Sequence, residues 1–583
     1  MCGIAGFKGK ENASVLVFNS LRKLEYRGYD SWGIALRQNP IKVVKKKGKL
    51  PEKMPGIPAA GTAVGHTRWA THGQVTDDNA HPHYSSDGKI AVVHNGIIEN
   101  FQELRAFLQK KGFRFSTDTD TETVPLLIEY FMGKGSNFRD AFRQALLELE
   151  GHFAVLAIHS DSDVLLGARR GSPLVVGVAE EGTFIASDAP AFLEKTKRVI
   201  YLDENEMVEV NNAPRFYDIQ SYREKKKNVH TISWTIAQAE KGAFPHFMLK
   251  EIHEQPETVR LAVKQDPKLL GRVTKMLREA EGVFFIGCGT SFHACVSASY
   301  EFAEIAKMHV NTVLASEFPN YRDFLTKGTL VVAVSQSGET ADLLDAVRIA
   351  RGKGAKVISV VNVMGSMLTR LSDETIMMNS GPEICVLSTK TYTAQLAVLL
   401  LLAYSLAGKP GEGKKLLNKT AGRLPAIIES AEKKAKALAG KLSVQKDCFL
   451  IGRDLAFPSA MEGALKIKEV SYIHAEGFAG AELKHGTIAL VEKGVPVIVL
   501  STRRTKKEIL SNAMEVKARG AFILGIGSEN NPLFDDFIKV PDCASADPIA
   551  MIVPIQLLAY YLAVKKGLDP DKPRNLAKVV TVR

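Results

Sequence analysis

The sequence predicts an α/β protein of several domains whose C-terminal half is a pair of tandem parallel-sheet domains. Three observations carry this. The chain has 583 residues, more than the roughly 250–300 at which a single core stops growing, so about three domains are expected. Its composition, 45% hydrophobic and 24% charged, is that of an ordinary globular protein. The second half also repeats itself: the strand-to-turn run Val283–Phe285, Ile286, Gly287 returns as Cys448-Phe449-Leu450-Ile451-Gly452.

The repeat extends through each element in turn. Leu330–Val334 followed by Ser335 matches Val497–Leu500 followed by Ser501, and Glu304 falls opposite Glu469. Each unit then continues as helix and strand: Ala341–Arg351 with Val357–Val361, and Lys507–Arg519 with Phe522–Ile526. Strands alternating with helices form a parallel sheet covered on both faces. The two domains are placed at 275–415 and 442–573, with a short tail at 574–583. Residues 2–215 form a separate block, where β-like runs (Ala91–Val93, Phe153–Ile158, Val175–Val178) alternate with helical patterns at Val15–Leu24 and Glu99–Lys110. The stretch 216–270 reads as a connector. The apolar run Leu396–Leu406 is too short to span a bilayer and is expected to be a buried helix.

Composition also narrows function. The six cysteines (Cys2, Cys288, Cys295, Cys385, Cys448, Cys543) include no CxxC pair, which suits a reducing cytoplasm better than a disulfide framework or a zinc site. The N-terminus has no secretory pattern. The net charge of +12 comes without aromatic interleaving, so attraction of an anionic substrate is expected rather than nucleic-acid binding. No Walker pattern or cofactor motif is present, and His81-Pro82-His83 reads as a loop, so no cofactor and no metal are expected.

The first chemistry lies at the start. Removal of Met1 would make Cys2 the N-terminus, and an α-amine of pKa ~7.7–8.0 can take the thiol's proton. One residue then supplies both nucleophile and base. Acyl transfer also needs donors for the developing oxyanion, and the Asn95 side chain and Gly96 N–H in His94-Asn95-Gly96 suit that task. Arg68 suits a substrate carboxylate and Asp120 a substrate ammonium. These runs, with Tyr26-Arg27-Gly28-Tyr29-Asp30-Ser31 and Gly65–Gly73, resemble the N-terminal-nucleophile glutamine amidotransferases. The resemblance implies a four-layer αββα sandwich. It makes Cys2 the nucleophile and gives the oxyanion hole to Asn95 and Gly96. Arg68, Thr71, His72 and Asp120 would hold glutamine, and Trp69 would gate the ammonia path.

The second chemistry is an anion site. Gly287-Cys288-Gly289-Thr290-Ser291, Ser335-Gln336-Ser337-Gly338-Glu339-Thr340 and Ser388-Thr389-Lys390 each open a helix, where N–H groups and hydroxyls bind phosphate. The matching turn of the second repeat, Thr502-Arg503-Arg504-Thr505, lacks the Ser-x-Ser-Gly pattern, so that domain is expected to have another use. Lys466 and Glu469, at i and i+3, share one helix face.

These halves resemble paired sugar-isomerase domains of flavodoxin-like architecture. The residues that carry the likeness include Ser335–Thr340, Ser388-Thr389-Lys390, Glu482–Gly486 and Arg574-Asn575-Leu576-Ala577-Lys578. With Cys2, the resemblance implies an enzyme that takes ammonia from glutamine to fructose 6-phosphate and isomerises the product to glucosamine 6-phosphate. Lys578 would form a Schiff base with the sugar, Glu469 would move the proton between C1 and C2, and Lys466 would assist. His485 would aid ring opening from the neighbouring subunit of a homodimer. Ser335, Gln336, Ser337 and Thr340 would hold the phosphate, with Ser291 and Ser388 lining the sugar site. The alternatives are an amidotransferase for another phosphosugar and a sugar-phosphate-binding regulator that has lost catalysis.

Overall fold

The structure is a computed structural model that describes residues 2–69, 73–232 and 240–580. The chain divides into two compact units, one running up to Ala239 and including Ala577 onward, the other Glu240–Leu576.

The first unit is built on two antiparallel sheets of eight and seven strands. In the first sheet β1 (Gly3–Gly9) lies beside β2 (Thr62–Arg68), with Gly3 opposite Thr67. In the second sheet β3 (Ile90–Ile98) pairs with β4 (Gly151–His159), Asn95 opposite Ala154 and Gly96 opposite Phe153. Strand side chains alternate between faces, and β4 shows what this achieves. Ala154, Leu156 and Ile158 join Ile4, Val64 and Ile185 in a core between the sheets. Phe153, Val155 and Ala157 face the other way and pack with Leu108, Val124 and Phe142 from outer helices. Helix α1 (Ala13–Leu24) packs against β1 and β2, its start fixed by the Asn12 side chain accepting from Ser14 N at 3.1 Å. The result is the expected α/β/β/α layering.

The second unit contains two five-stranded parallel sheets, each with the chain order 2-1-3-4-5. The repeat seen in the sequence is thus a repeat of topology. Residues 216–270 are not simply a connector. Their second half includes α2 (Phe247–Val263), which buries Met248, Ile252, Val259 and Val263 in the unit's core. Its charged and apolar residues alternate at helical spacing, which concealed it among polar residues.

The first sheet contributes β5 (Gly282–Gly287), α3 (Thr290–Glu301), β6 (Thr329–Ser335) and α4 (Ala341–Gly352). Two helices follow, α5 (Lys390–Leu406) and α6 (Pro410–Leu442). The second sheet contributes β7 (Asp447–Gly452), α7 (Ala456–Ser471), β8 (Pro496–Ser501), α8 (Lys506–Lys517) and β9 (Phe522–Gly527), before α9 (Asp547–Lys565). Helix α5 is apolar on every side and buried, as a central core helix must be. Helix α9 is apolar enough to cross a membrane, yet 89% of its apolar window is buried inside the fold. One continuous core takes in Leu400 of α5, Leu424 of α6, Ile467 of α7 and Ile552 of α9, together with strands of both sheets.

Candidate functional site

Cys2 immediately precedes β1, and the end of β2 brings Trp69 beside it. The thiol Sγ accepts from Trp69 N–H at 3.1 Å. The Cys2 carbonyl accepts from Asn95 Nδ2 at 2.8 Å and from Arg27 Nε at 3.3 Å, so β3 and the Arg27 turn fix the residue's backbone. Burial pushes the thiol above its ordinary range, while the chain's N-terminal charge, the Trp69 amide and Arg68 pull it back only in part. A thiol in that state keeps its proton at neutral pH, so it needs a base to act as a nucleophile. Gly96 follows Asn95 at φ +125°, and a Cβ there would run into the His152 carbonyl, so the position next to the Asn95 amide admits only glycine.

Arg68 is buried, and its guanidinium donates to the carbonyls of Gly73 and Gln74 at 3.3 Å each. Trp69 stacks edge-on against Tyr29 with centroids 5.7 Å apart. Asp120 is buried in a short turn, with Oδ2 accepting from Ile98 N at 2.9 Å and Oδ1 from the Thr121 hydroxyl at 3.3 Å. The end of β3 thereby ties the Asp120 carboxylate to the strand that carries Asn95 and Gly96. Thr71 and His72 lie outside the described residues.

Sequence reading missed what lies behind these groups. The His66 and His81 rings stack 4.0 Å apart, and His83 packs edge-on to His81 at 4.7 Å. His66 Nε2 donates to the His94 carbonyl at 2.9 Å, which fixes its tautomer, and His94 Nδ1 meets the Thr121 hydroxyl at 2.8 Å. Burial drives the His66 imidazole down to about 3 and pushes His81 and His83 well below their ordinary value. The stretch His81-Pro82-His83 is therefore more than a loop. His83 opens a short strand, His83–Tyr84, and both rings belong to this neutral stack.

In the second unit Lys466 is fully buried on α7 between two carboxylates on the same helix. Its Nζ lies 3.3 Å from Glu462 Oε1 and 2.7 Å from Glu469 Oε2. Burial lowers the tendency of this amine to hold its proton, but the two carboxylates outweigh it and keep the ammonium charged. From the first repeat, α3 adds Thr290, whose hydroxyl accepts from Lys466 at 3.1 Å and donates to Glu462 at 3.1 Å. His293, also on α3, lies 2.8 Å from Glu462 Oε2. The pairing of Lys466 with Glu469 follows from their spacing. Glu462, Thr290 and His293 were not foreseen, although Glu462 at i−4 from Lys466 was a visible signal.

The Ser335–Thr340 turn joins β6 to α4. Gly338 N donates to Ser335 Oγ at 2.9 Å and Glu339 N to Ser337 Oγ at 3.1 Å, while Gly338 itself sits at φ +67° against Ser366. Ser335 and Ser337 are buried, Gln336 and Thr340 half-buried, and Thr340 stands at the N-cap of α4. Ser291 on α3 accepts from Gln395 of α5 at 3.1 Å, and Ser388 is half-buried just before α5. The third expected anion turn differs from expectation. The Glu383 carboxylate already accepts from Thr389 N at 2.9 Å and Thr391 N at 3.1 Å, so an internal anion occupies those amides of α5. Lys390 turns away to pair with Glu254 at 2.7 Å. His485 is exposed on a one-turn helix, Glu482–His485. Lys578 lies in the tail that groups with the first unit.

Comparison with known proteins agrees with this division of labour. A family model described as a glutamine amidotransferase domain matches residues 66–194, and one described as a SIS domain matches 276–405 and again 441–566. A curated protein of Pyrococcus horikoshii named glutamine–fructose-6-phosphate aminotransferase (isomerizing) is 45% identical, covering 100% of both chains. A Thermococcus kodakarensis protein of the same name is 44% identical over the same extent. Among solved structures, the C-terminal domain of glucosamine-fructose-6-phosphate aminotransferase from Francisella tularensis matches with 32% identity and TM-score 0.52, covering 57% of this chain and 100% of that one. An N-terminal thiol site, a doubled sugar-isomerase fold and full-length likeness to these relatives place the chain in the isomerising glutamine–fructose-6-phosphate aminotransferase family.

Proposed function

We propose that this protein hydrolyses glutamine at Cys2 and uses the ammonia to convert fructose 6-phosphate into glucosamine 6-phosphate. One observation carries the reading: a Cys2 whose thiol is held by the Trp69 N–H and whose carbonyl is held by Asn95 occurs in the same chain as a buried Lys466 flanked by Glu462 and Glu469. In the first unit the thiol attacks the side-chain amide carbon of glutamine, and its proton passes to the α-amine freed by loss of Met1. Asn95 Nδ2 carries a second N–H, which with Gly96 N–H suits the oxyanion. The proton then leaves with the ammonia, and water hydrolyses the thioester to glutamate. In the second unit Glu469, 2.7 Å from the charged Lys466, can accept a proton from C1 of the ketose imine and return it at C2. The Ser335–Thr340 turn suits the phosphate, with Ser291 and Ser388 beside the sugar and Lys578 as the Schiff-base amine. The protein acts as a cytoplasmic homodimer, which fits a His485 that is exposed on the protomer and assigned to the partner's site. Purified protein given glutamine and fructose 6-phosphate should yield glucosamine 6-phosphate and glutamate in equal amounts by mass spectrometry. Glutamate without amino sugar would overturn the reading.

A further inference from the structure

The second parallel sheet has a cleft where the first has its serine turn. A cavity of about 270 Å3 lies beyond the carboxyl ends of β7 and β8, lined by Asp454, Thr502, Arg503, Arg504, Asp542 and Asp547 among others. Chain order reverses between β7 and β8, because β7 is flanked by His474–Ala479 on its other side. That is where open α/β sheets bind small molecules.

The lining has two chemistries. On one side Arg503 is 81% exposed and touches Asp542 only at 3.9 Å. Beside it the hydroxyls of Thr502 and Thr505 lie 3.0 Å apart at the start of α8, a helix of 12 residues. A guanidinium, two hydroxyls and a helix N-terminus together suit a phosphate. Arg504 plays a different part: it is bridged to Glu304 and to Asp454, and so forms wall. The lining also includes Asp547, which begins α9, is 8% exposed, and accepts from Cys543 N at 2.7 Å. Burial raises its carboxyl to about 7, with Asp542 adding to the rise and the Cys543 amide and Arg423 opposing it.

We infer that this cleft is a second ligand site that takes a phosphorylated amino sugar. This rests on the proposed reaction, whose product has that chemistry. Both ends of such a ligand find a partner, the phosphate at Arg503 and the Thr502 and Thr505 hydroxyls, and the ammonium at Asp547. A nucleoside polyphosphate would set its negative charge against Asp454, Asp542 and Asp547. The volume also falls just below the ~300–1,000 Å3 typical of ligand pockets, so it fits a single sugar ring and no larger molecule. A product held there, away from Lys466 and Glu469, would report product level to the enzyme.

Calorimetric titration of the full-length protein with glucosamine 6-phosphate tests this. Two equivalents should bind per chain, and Arg503→Ala should weaken one of them about tenfold or more while leaving the other unchanged. Because Arg503 is exposed, the variant should fold. Asp547→Asn should weaken that same site for glucosamine 6-phosphate but not for glucose 6-phosphate. One equivalent in the native protein, two unaltered equivalents in Arg503→Ala, or glucose 6-phosphate filling the cleft as tightly would each overturn the proposal. The turnover assay decides separately whether the protein makes glucosamine 6-phosphate, so the two readings fail by different results.

Discussion

Cys2, partly buried, and Lys466, fully buried, are both ionisable groups at the heart of a site, and burial acts on them with opposite outcomes. Around Cys2 the N-terminal charge, the Trp69 amide and Arg68 do not overcome desolvation, and the thiol is held protonated. Around Lys466 two carboxylates on the same helix do overcome it, and the amine stays charged. Burial raises the cost of charge, and the partners within about 4 Å decide whether it is met. The first site therefore needs a mobile proton acceptor, whereas the second is a fixed charge array.

Removing the thiol breaks the comparison most completely. Cys2→Ala replaces a small partly buried group with a smaller one, so the fold should survive. Glutaminase activity should vanish, while interconversion of fructose 6-phosphate and glucose 6-phosphate continues. Loss of both activities in folded protein would mean that the two sites are not separable. The converse change, Glu469→Gln, should slow isomerisation about 10²–10⁴-fold, the usual cost of losing a positioned general base, and leave glutamine hydrolysis standing. Both variants should be assayed for both activities.

Glu462→Gln sharpens the picture of the charge array. It leaves Lys466 with one carboxylate and should destabilise the second unit by about 1–3 kcal/mol, seen as a lower denaturant midpoint. An unchanged midpoint would show that Glu469 alone suffices to hold Lys466.

The last effect builds gradually with acid and is smallest per pH step. His66 titrates near 3 in the folded chain but near ~6.5 when unfolded, and His81 and His83 are displaced the same way. Between those values the unfolded state binds more protons, so stability falls as pH drops from about 6.5 towards about 3, by up to ~1.4 kcal/mol per pH unit per histidine. The 3 tryptophans, Trp32, Trp69 and Trp234, all precede residue 240. Their fluorescence should report this loss, and its absence down to pH 4 would contradict a neutral stack.

The doubled fold and the chemistry-bearing turns were legible because they are local. A strand ending in Gly287 or Gly452, a serine turn before α4, and Cys2 with Asn95 and Gly96 all declare themselves within a few residues. The full αββα layering came from resemblance to a family, not from periodicity. What stayed hidden depends on packing between distant segments. Thr290 and His293 reach Glu462 only because α3 of one repeat lies against α7 of the other. The histidine stack joins β2, β3 and the 81–83 segment, which no spacing rule connects. Glu383 occupying the start of α5 is likewise a contact between segments that looked like separate motifs.

The core shared by both parallel sheets bears on how the chain can be cut. Leu400, Leu424, Ile467 and Ile552 belong to one packed interior, so the two copies of the duplicated fold share their inner face, although each keeps a smaller cluster of its own on the other side of its sheet. A fragment ending near residue 440 would present α5 and α6 to water without α7 and α9 to cover them, and should aggregate rather than behave as an independent module. The duplication can be read as two domains on the page, but the shared interior predicts that it melts as one body.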